Sequence, residues 1–151
     1  MRRIGITGGI GSGKSVVSRL LRIMGYSVYD TDSEAKRLME SSLEVVQKLS
    51  ECFGRDIYHN GRLNRGLLSS RVFGKSDKIV LLNSIVHPVV RFDFYRWSES
   101  LNEEICFVES AILYESRFDE LVDEVWTVTA PEELRTVSYT HLRAHETLMN
   151  L

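Results

Sequence analysis

The residues with the clearest chemical purpose stand at the start of the chain. Gly8-Gly9-Ile10-Gly11-Ser12-Gly13-Lys14-Ser15 fits G-x-x-x-x-G-K-[ST] at every fixed position. Phosphate oxygens are wrapped by backbone N–H groups, which requires a loop without side-chain bulk, and glycine provides it. Five of the ten glycines, Gly5, Gly8, Gly9, Gly11 and Gly13, fall within the first thirteen residues. Lys14 is placed to bridge the β- and γ-phosphates of ATP, and the Ser15 hydroxyl to coordinate Mg²⁺. ATP and Mg²⁺ are the cofactors this pattern calls for.

Phosphoryl transfer to a small acceptor also needs a carboxylate near the γ-phosphate, to orient or deprotonate the acceptor hydroxyl. Asp30-Thr31-Asp32 supplies two, directly after a second strand-like run. Ligands of open α/β sheets bind beyond the carboxyl ends of the strands, so these carboxylates belong beside the loop. Asp32 also precedes the helix-like run Ser33 to Leu38 and reads as its N-cap. The guanine-reading and switch patterns of GTPases, N-K-x-D and D-x-x-G, do not occur.

The elements that must position these groups follow from hydrophobic patterning. Arg3 to Thr7 reads as a short buried strand. Val16, Val17, Leu20, Leu21 and Met24 follow at helical spacing, and Gly25 is suited to ending that helix. Ser27 to Tyr29 reads as the second strand. Ile105 to Val108 reads as a third, ending in Glu109, and Glu124 to Thr129 as a fourth. Glu109 sits where phosphate-loop kinases hold an acidic residue near Mg²⁺ or the substrate; a strand-end ion pair is its alternative role.

From Leu43 to Leu101 the pattern is mostly helical. Leu43, Val46, Leu49, Cys52 and Phe53 make an amphipathic face closed by Gly54. His59-Asn60-Gly61 contains a turn dipeptide. Asn64 is expected to cap a helix from Arg65 to Phe73, ended by Gly74. Ser76 or Asp77 caps the next, through Val86, and Pro88 suits the first turn of another.

Composition bounds the rest. The 151 residues carry 43% hydrophobic and 26% charged side chains, with a net charge of -2. That is one ordinary globular domain rather than a disordered or fibrous chain. No apolar run exceeds four residues, so no segment reads as a membrane span or signal peptide. Residues 1–75 hold 13 Lys and Arg against 7 Asp and Glu, and the second half reverses the balance. A basic first half suits a small anionic ligand; nucleic acid and membrane are not expected partners. Cys52 and Cys106 form no metal pattern and are too few for a disulfide scaffold, which points to reduced thiols in a cytoplasm.

Thr7 to Ser15, followed by Asp30-Thr31-Asp32 and Ala35-Lys36, resembles the start of dephospho-coenzyme A kinases. The likeness continues through Asn83 to Pro88, Glu109 to Glu115 and Val128 to Arg135, and so covers about residues 1–135. It implies ATP-dependent phosphorylation of the ribose 3′-hydroxyl of dephospho-CoA, the last step of coenzyme A synthesis, in the cytoplasm. It implies a P-loop NTPase fold of the α/β class, a parallel sheet flanked by helices. A helical substrate-binding insertion over about residues 33–101 would grip dephospho-CoA.

By the same resemblance Asp32 is the catalytic carboxylate, together with Lys14, and Gly11, Ser12, Gly13, Lys14, Ser15 and Val16 are the nucleotide-binding stretch. Asp30, Lys36, His87 and Glu109 are the candidate substrate residues, although His87 reads equally as a structural histidine. Arg55, Arg62, Arg65, Arg71 and Lys75 offer charge toward a pyrophosphate, though each alone reads as a solvated surface residue. Lys36 stands where the family often has arginine, which loses a bidentate fork. Ala111 replaces a frequent proline.

Past residue 136 the likeness stops. The kinase domain is expected over 1–136, with 137–151 an unrelated tail of artefactual origin. The arginine-bearing lid and the last strand are expected to be missing, leaving the 151-residue form nearly inactive and prone to aggregate. His141 and His145 are not read as a metal site. Two alternatives stand beside the main reading: another small-substrate kinase of nucleoside or shikimate type, or a nucleotide-binding module without transfer activity.

Overall fold

The computed structural model describes residues 1–131. The expected tail, the lid, and His141 and His145 lie outside the described residues. In chain order the elements are β1 (Arg2–Thr7), α1 (Lys14–Ile23), β2 (Ser27–Asp30), α2 (Thr31–Ser41) and α3 (Leu43–Phe53). After a 3-10 turn at Arg55–Ile57 come β3 (Tyr58–His59), β4 (Arg62–Leu63), α4 (Arg65–Val72) and α5 (Ser76–Ser100). The chain then forms β5 (Ile105–Glu109), a second 3-10 turn at Phe118–Leu121, and β6 (Glu124–Thr127).

These elements fall into two compact units. One holds residues 1–31 and 93–131, the other Asp32–Phe92. Helix α5 continues through the boundary between Phe92 and Asp93, and α2 begins one residue before its own boundary.

The first unit is built on a parallel sheet in the order β2-β5-β1-β6. Its register sets Val28, Phe107 and Ile4 in one row, and Asp30, Glu109 and Ile6 in the next. Residues in register share a face, and those two apart along a strand share it as well. On that face Ile4, Ile6 and Phe107 pack with Leu21 of α1, flanked by Val17, Val28, Ile105 and Val128. The opposite face carries aromatic packing: Tyr29 lies 5.3 Å from both Phe94 and Trp97, and Phe94 lies 5.8 Å from Phe118. Gly5 is required there, because a Cβ at that position would come within 2.6 Å of the buried Leu113 side chain.

The second unit is helical with one two-stranded hairpin. Asn60 (φ 51°) and Gly61 (φ 76°) both adopt left-handed backbone. That pair makes the Asn-Gly turn that joins β3 to β4 in antiparallel register. Asn64 caps α4, its side chain accepting from the Leu67 amide at 3.0 Å. Gly54 (φ 103°) ends α3 and Gly74 (φ 71°) follows α4, as the sequence leads one to expect.

Five expectations need correction. Neither Ser76 nor Asp77 caps α5, because that helix already begins at Ser76. Helix α3 buries Val45, Leu49 and Phe53, an i, i+4, i+8 stripe, while Leu43 and Cys52 are exposed. Helix α1 buries Leu21 and Ser18, and leaves Val16, Leu20 and Met24 exposed. Asp32 is not the N-cap of α2, because the helix already begins at Thr31 and Asp32 lies in its first turn. Pro88 starts no new helix; it sits inside α5. Proline there removes the bond to the Ser84 carbonyl, and both residues are exposed, so that carbonyl is not shut away from solvent.

Candidate active site

Strand β1 delivers the chain directly into the phosphate loop. Gly8 must lack a side chain: a Cβ would stand 2.5 Å from both Ser12 Oγ and the Val128 carbonyl oxygen. Gly11 (φ 71°) and Gly13 (φ 96°) take left-handed backbone, which turns the loop back onto the helix axis. Gly13 is the N-cap of α1 without a side-chain cap bond, and the first turn holds no acidic residue. The Val16 and Val17 amides donate to the Gly13 carbonyl, so the Lys14 and Ser15 N–H groups and the positive end of α1 are what face an anion.

Lys14 and Ser15 are the first two residues of α1, and among the described residues Lys14 enters no ion pair. Ser12 is buried, and its Oγ has no hydrogen-bond partner among the described residues. An open polar atom in a loop that tolerates no side chain at Gly8 fits a cradle for a polar ligand.

Glu109 ends β5 in register with Asp30 of β2 and Ile6 of β1, so both carboxylates lie at the carboxyl edge of the sheet, on the face covered by α1. Among the described residues Glu109 enters no ion pair. Ser18 Oγ donates to Glu109 Oε2 at 2.7 Å, and Ser15 Oγ donates to Oε1 at 3.4 Å. The Thr31 hydroxyl donates to the Glu109 carbonyl at 2.8 Å. A hydroxyl and a carboxylate side by side are hard oxygen donors. They suit Mg²⁺, which is commonly held by one or two protein oxygens together with substrate phosphates.

The first unit therefore gathers the loop, Lys14, Ser15, Val16, Asp30 and Glu109. Asp32, Lys36 and His87 belong to the second unit. Lys36 is half-buried, and its carbonyl accepts from Arg65 Nη2 at 3.3 Å. Burial, and then the charge of Arg91, hold the His87 imidazole below its ordinary pKa, so it is neutral at pH 7. Burial, and then the charge of Glu40, push the Tyr58 phenol up to about 12, and Tyr58 Oη donates to the Met39 carbonyl at 2.6 Å.

The basic side chains of this unit separate into kinds. Arg71 is committed to a two-bond pair with Asp56, at 2.7 and 2.6 Å, and donates to the Phe53 carbonyl. Arg65 is held only by long bonds to Glu40 and Lys36, and its Nε is buried without a partner among the described residues. Arg55, Arg62 and Lys75 are exposed.

Sequence reasoning missed two residues, Ser18 and Thr31, whose hydroxyls hold Glu109. A serine in the core stripe of an amphipathic helix was the available signal for Ser18.

Comparison with known proteins agrees with this geometry. Residues 2–145 match the dephospho-CoA kinase (CoaE) family. The dephospho-CoA kinase of Porphyromonas gingivalis is 48% identical over 135 residues, 89% of this chain and 67% of that protein. That of Bacteroides fragilis is 43% identical over 134 residues, 88% and 65% respectively. The crystal structure of TT1252 from Thermus thermophilus superposes with a TM-score of 0.77 at 33% identity, covering 99% of this chain and 75% of that one. The chain thus spans about two thirds of the length of the two curated relatives. With its parallel sheet, phosphate loop and these similarities, the chain belongs to the dephospho-CoA kinase family.

Proposed function

We propose that this chain carries out the family's reaction, transfer of the γ-phosphoryl group of ATP to the ribose 3′-hydroxyl of dephospho-CoA. The single observation that carries the reading is the glycine-rich phosphate loop ending at Lys14, with no room for a side chain at Gly8 and with Glu109 facing Ser15 in the same unit.

The residues divide the work as follows. The backbone of Gly8, Gly9, Gly11, Ser12 and Gly13 wraps the phosphates, Val16 continues that stretch, and Lys14 balances charge on the transferring group. Ser15 and Glu109 hold the cation side of the triphosphate. Mg²⁺, when bound there, neutralises the charge that develops on the phosphate oxygens. Asp32 accepts the 3′-hydroxyl proton as the new O–P bond forms and the bond to the β-phosphate oxygen breaks, releasing ADP. Asp30, Lys36 and His87 contact the acceptor, and neutral His87 does so as a hydrogen-bonding group rather than a charge. The domain bounds of 1–136, with an acceptor-binding insertion over about 33–101, and a cytoplasmic setting belong to the same proposal. Among the described residues no helix is long and apolar enough to cross a membrane.

The test combines binding with single turnover at high enzyme concentration. Dephospho-CoA, shikimate and a panel of nucleosides are each offered with γ-labelled ATP. The proposal expects dephospho-CoA to bind and to accept label in preference to the others, with Asp32→Asn suppressing transfer more than binding. Preferred labelling of shikimate or a nucleoside, or ATP binding with no affinity for dephospho-CoA, contradicts it.

A further inference from the structure

Ser18 is fully buried, one of the two residues that α1 commits to the core of its unit. A hydroxyl in such a place is costly unless it is paired. Its partner is Glu109, also buried, at 2.7 Å. Ser15, three residues earlier on the same helix face, reaches the other oxygen of the same carboxylate at 3.4 Å. The two serines divide the carboxylate, with a short bond to Oε2 from Ser18 and a long one to Oε1 from Ser15. The Thr31 bond fixes the Glu109 backbone, so the side-chain torsions are what remain to be set.

We infer that Ser18 is a positioning residue for the cation: by holding Glu109 Oε2, it keeps Oε1 presented beside Ser15, where a divalent ion accompanying the triphosphate would sit. The inference rests on the phosphate-loop reading above and deepens it. The loose Ser15 bond can be given up when that hydroxyl turns to a metal. The tight Ser18 bond lies in the core and stays. Without Ser18 the Glu109 carboxylate is free to rotate, and one of its oxygens loses its buried partner. Groups that orient metal ligands from behind commonly cost about 10- to 100-fold in metal affinity when removed.

The test is Mn²⁺ uptake by the full chain in the presence of ATP, read from the loss of the free-ion electron paramagnetic resonance signal beyond the loss that the same ATP causes without the chain. ATP binding in EDTA and the thermal unfolding midpoint are measured alongside. Ser18→Ala is expected to weaken Mn²⁺ uptake about 10-fold, with metal-free ATP binding changed less than about twofold. In a Glu109→Gln background the same substitution is expected to add no further loss. Should Ser18→Ala not fold, Ser18→Cys carries the test, since it fills similar space with a weaker donor and is expected to lose affinity in part. Mn²⁺ uptake within about twofold of the parent overturns the inference, as does an equal loss of ATP binding with and without metal. A parent chain that takes up no Mn²⁺ with ATP overturns the phosphate-loop reading as well.

Discussion

Replacement of Gly8 by alanine tests whether the loop is shaped by space or by backbone conformation. Gly8 is not among the glycines with left-handed backbone, so alanine can adopt its torsions. The obstacle is volume. The new methyl would stand 2.5 Å from Ser12 Oγ, 2.5 Å from the Val128 carbonyl oxygen and 3.2 Å from Ser12 Cβ. Ordinary contacts lie near 3.4–4 Å, so the overlap approaches 1 Å on two sides. One side is backbone, tied to β1 by the Val128 amide donating to the Thr7 carbonyl at 2.7 Å.

Overpacking of this kind costs about 1–3 kcal/mol. Taking about 2 kcal/mol, the unfolding midpoint should fall by about 4–8 °C in a chain of this length. Because relief requires the loop to move, ATP affinity should fall about 10-fold, equivalent to about 1.4 kcal/mol. Adding Ser12→Ala removes one overlap and leaves the carbonyl, so it should restore less than half of the stability. Gly25→Ala is the control. Gly25 has φ 97° and open space around it, so its cost is backbone strain of about 1–2 kcal/mol with no effect on ATP. Calorimetric unfolding and ATP titration measure both quantities. A Gly8→Ala chain that melts within about 1 °C of the parent and binds ATP equally well would refute the reasoning.

Further outcomes follow from other features. The folded-state pKa of His87 is depressed, so its contribution to stability is full above the unfolded value near 6.5 and is lost as pH falls through the lower folded value. Urea unfolding between pH 7.5 and 5 should therefore show a slope from this group of at most about 1.4 kcal/mol per pH unit, which His87→Gln removes; an unchanged slope contradicts the burial argument. In α3, Leu49→Ala should cost about 2–5 kcal/mol, because Leu49 is fully buried, whereas exposed Leu43→Ala should change unfolding by less than about 0.5 kcal/mol. Equal effects would restore the face of Leu43, Val46, Leu49, Cys52 and Phe53. Tyr58→Phe should lose about 1 kcal/mol through its bond to the Met39 carbonyl, as measured by chemical denaturation.

Much of the site was legible because glycine, lysine and serine at fixed spacing have few other reasons to coincide. The strands were legible for a related reason: a parallel sheet covered on its faces reads as short apolar runs, and Ile105 to Glu109 is one. The helix faces were harder. A period near 3.6 admits two adjacent stripes when apolar residues are abundant, as they are in α1 and α3. In α1 the decision fell to Ser18, whose place in the core depends on Glu109, ninety-one residues away. Local sequence does not reveal such a partner. Of the hairpin only the Asn-Gly turn is legible, because strands of two residues show no alternation. Helix α5 passed through Pro88 because the freed carbonyl lies on the exposed side, which only the completed helix establishes.

The claim beneath all of this is that Lys14 and the glycine loop form a triphosphate cradle. Equilibrium binding of MgATP to the parent chain and to Lys14→Ala, with the unfolding midpoint of each recorded, tests it most directly. The account predicts saturable binding by the parent and a loss of 10-fold or more (about 1.4 kcal/mol) in the variant at nearly unchanged stability. Equal affinity in the two proteins, or no binding by the well-folded parent, would contradict it.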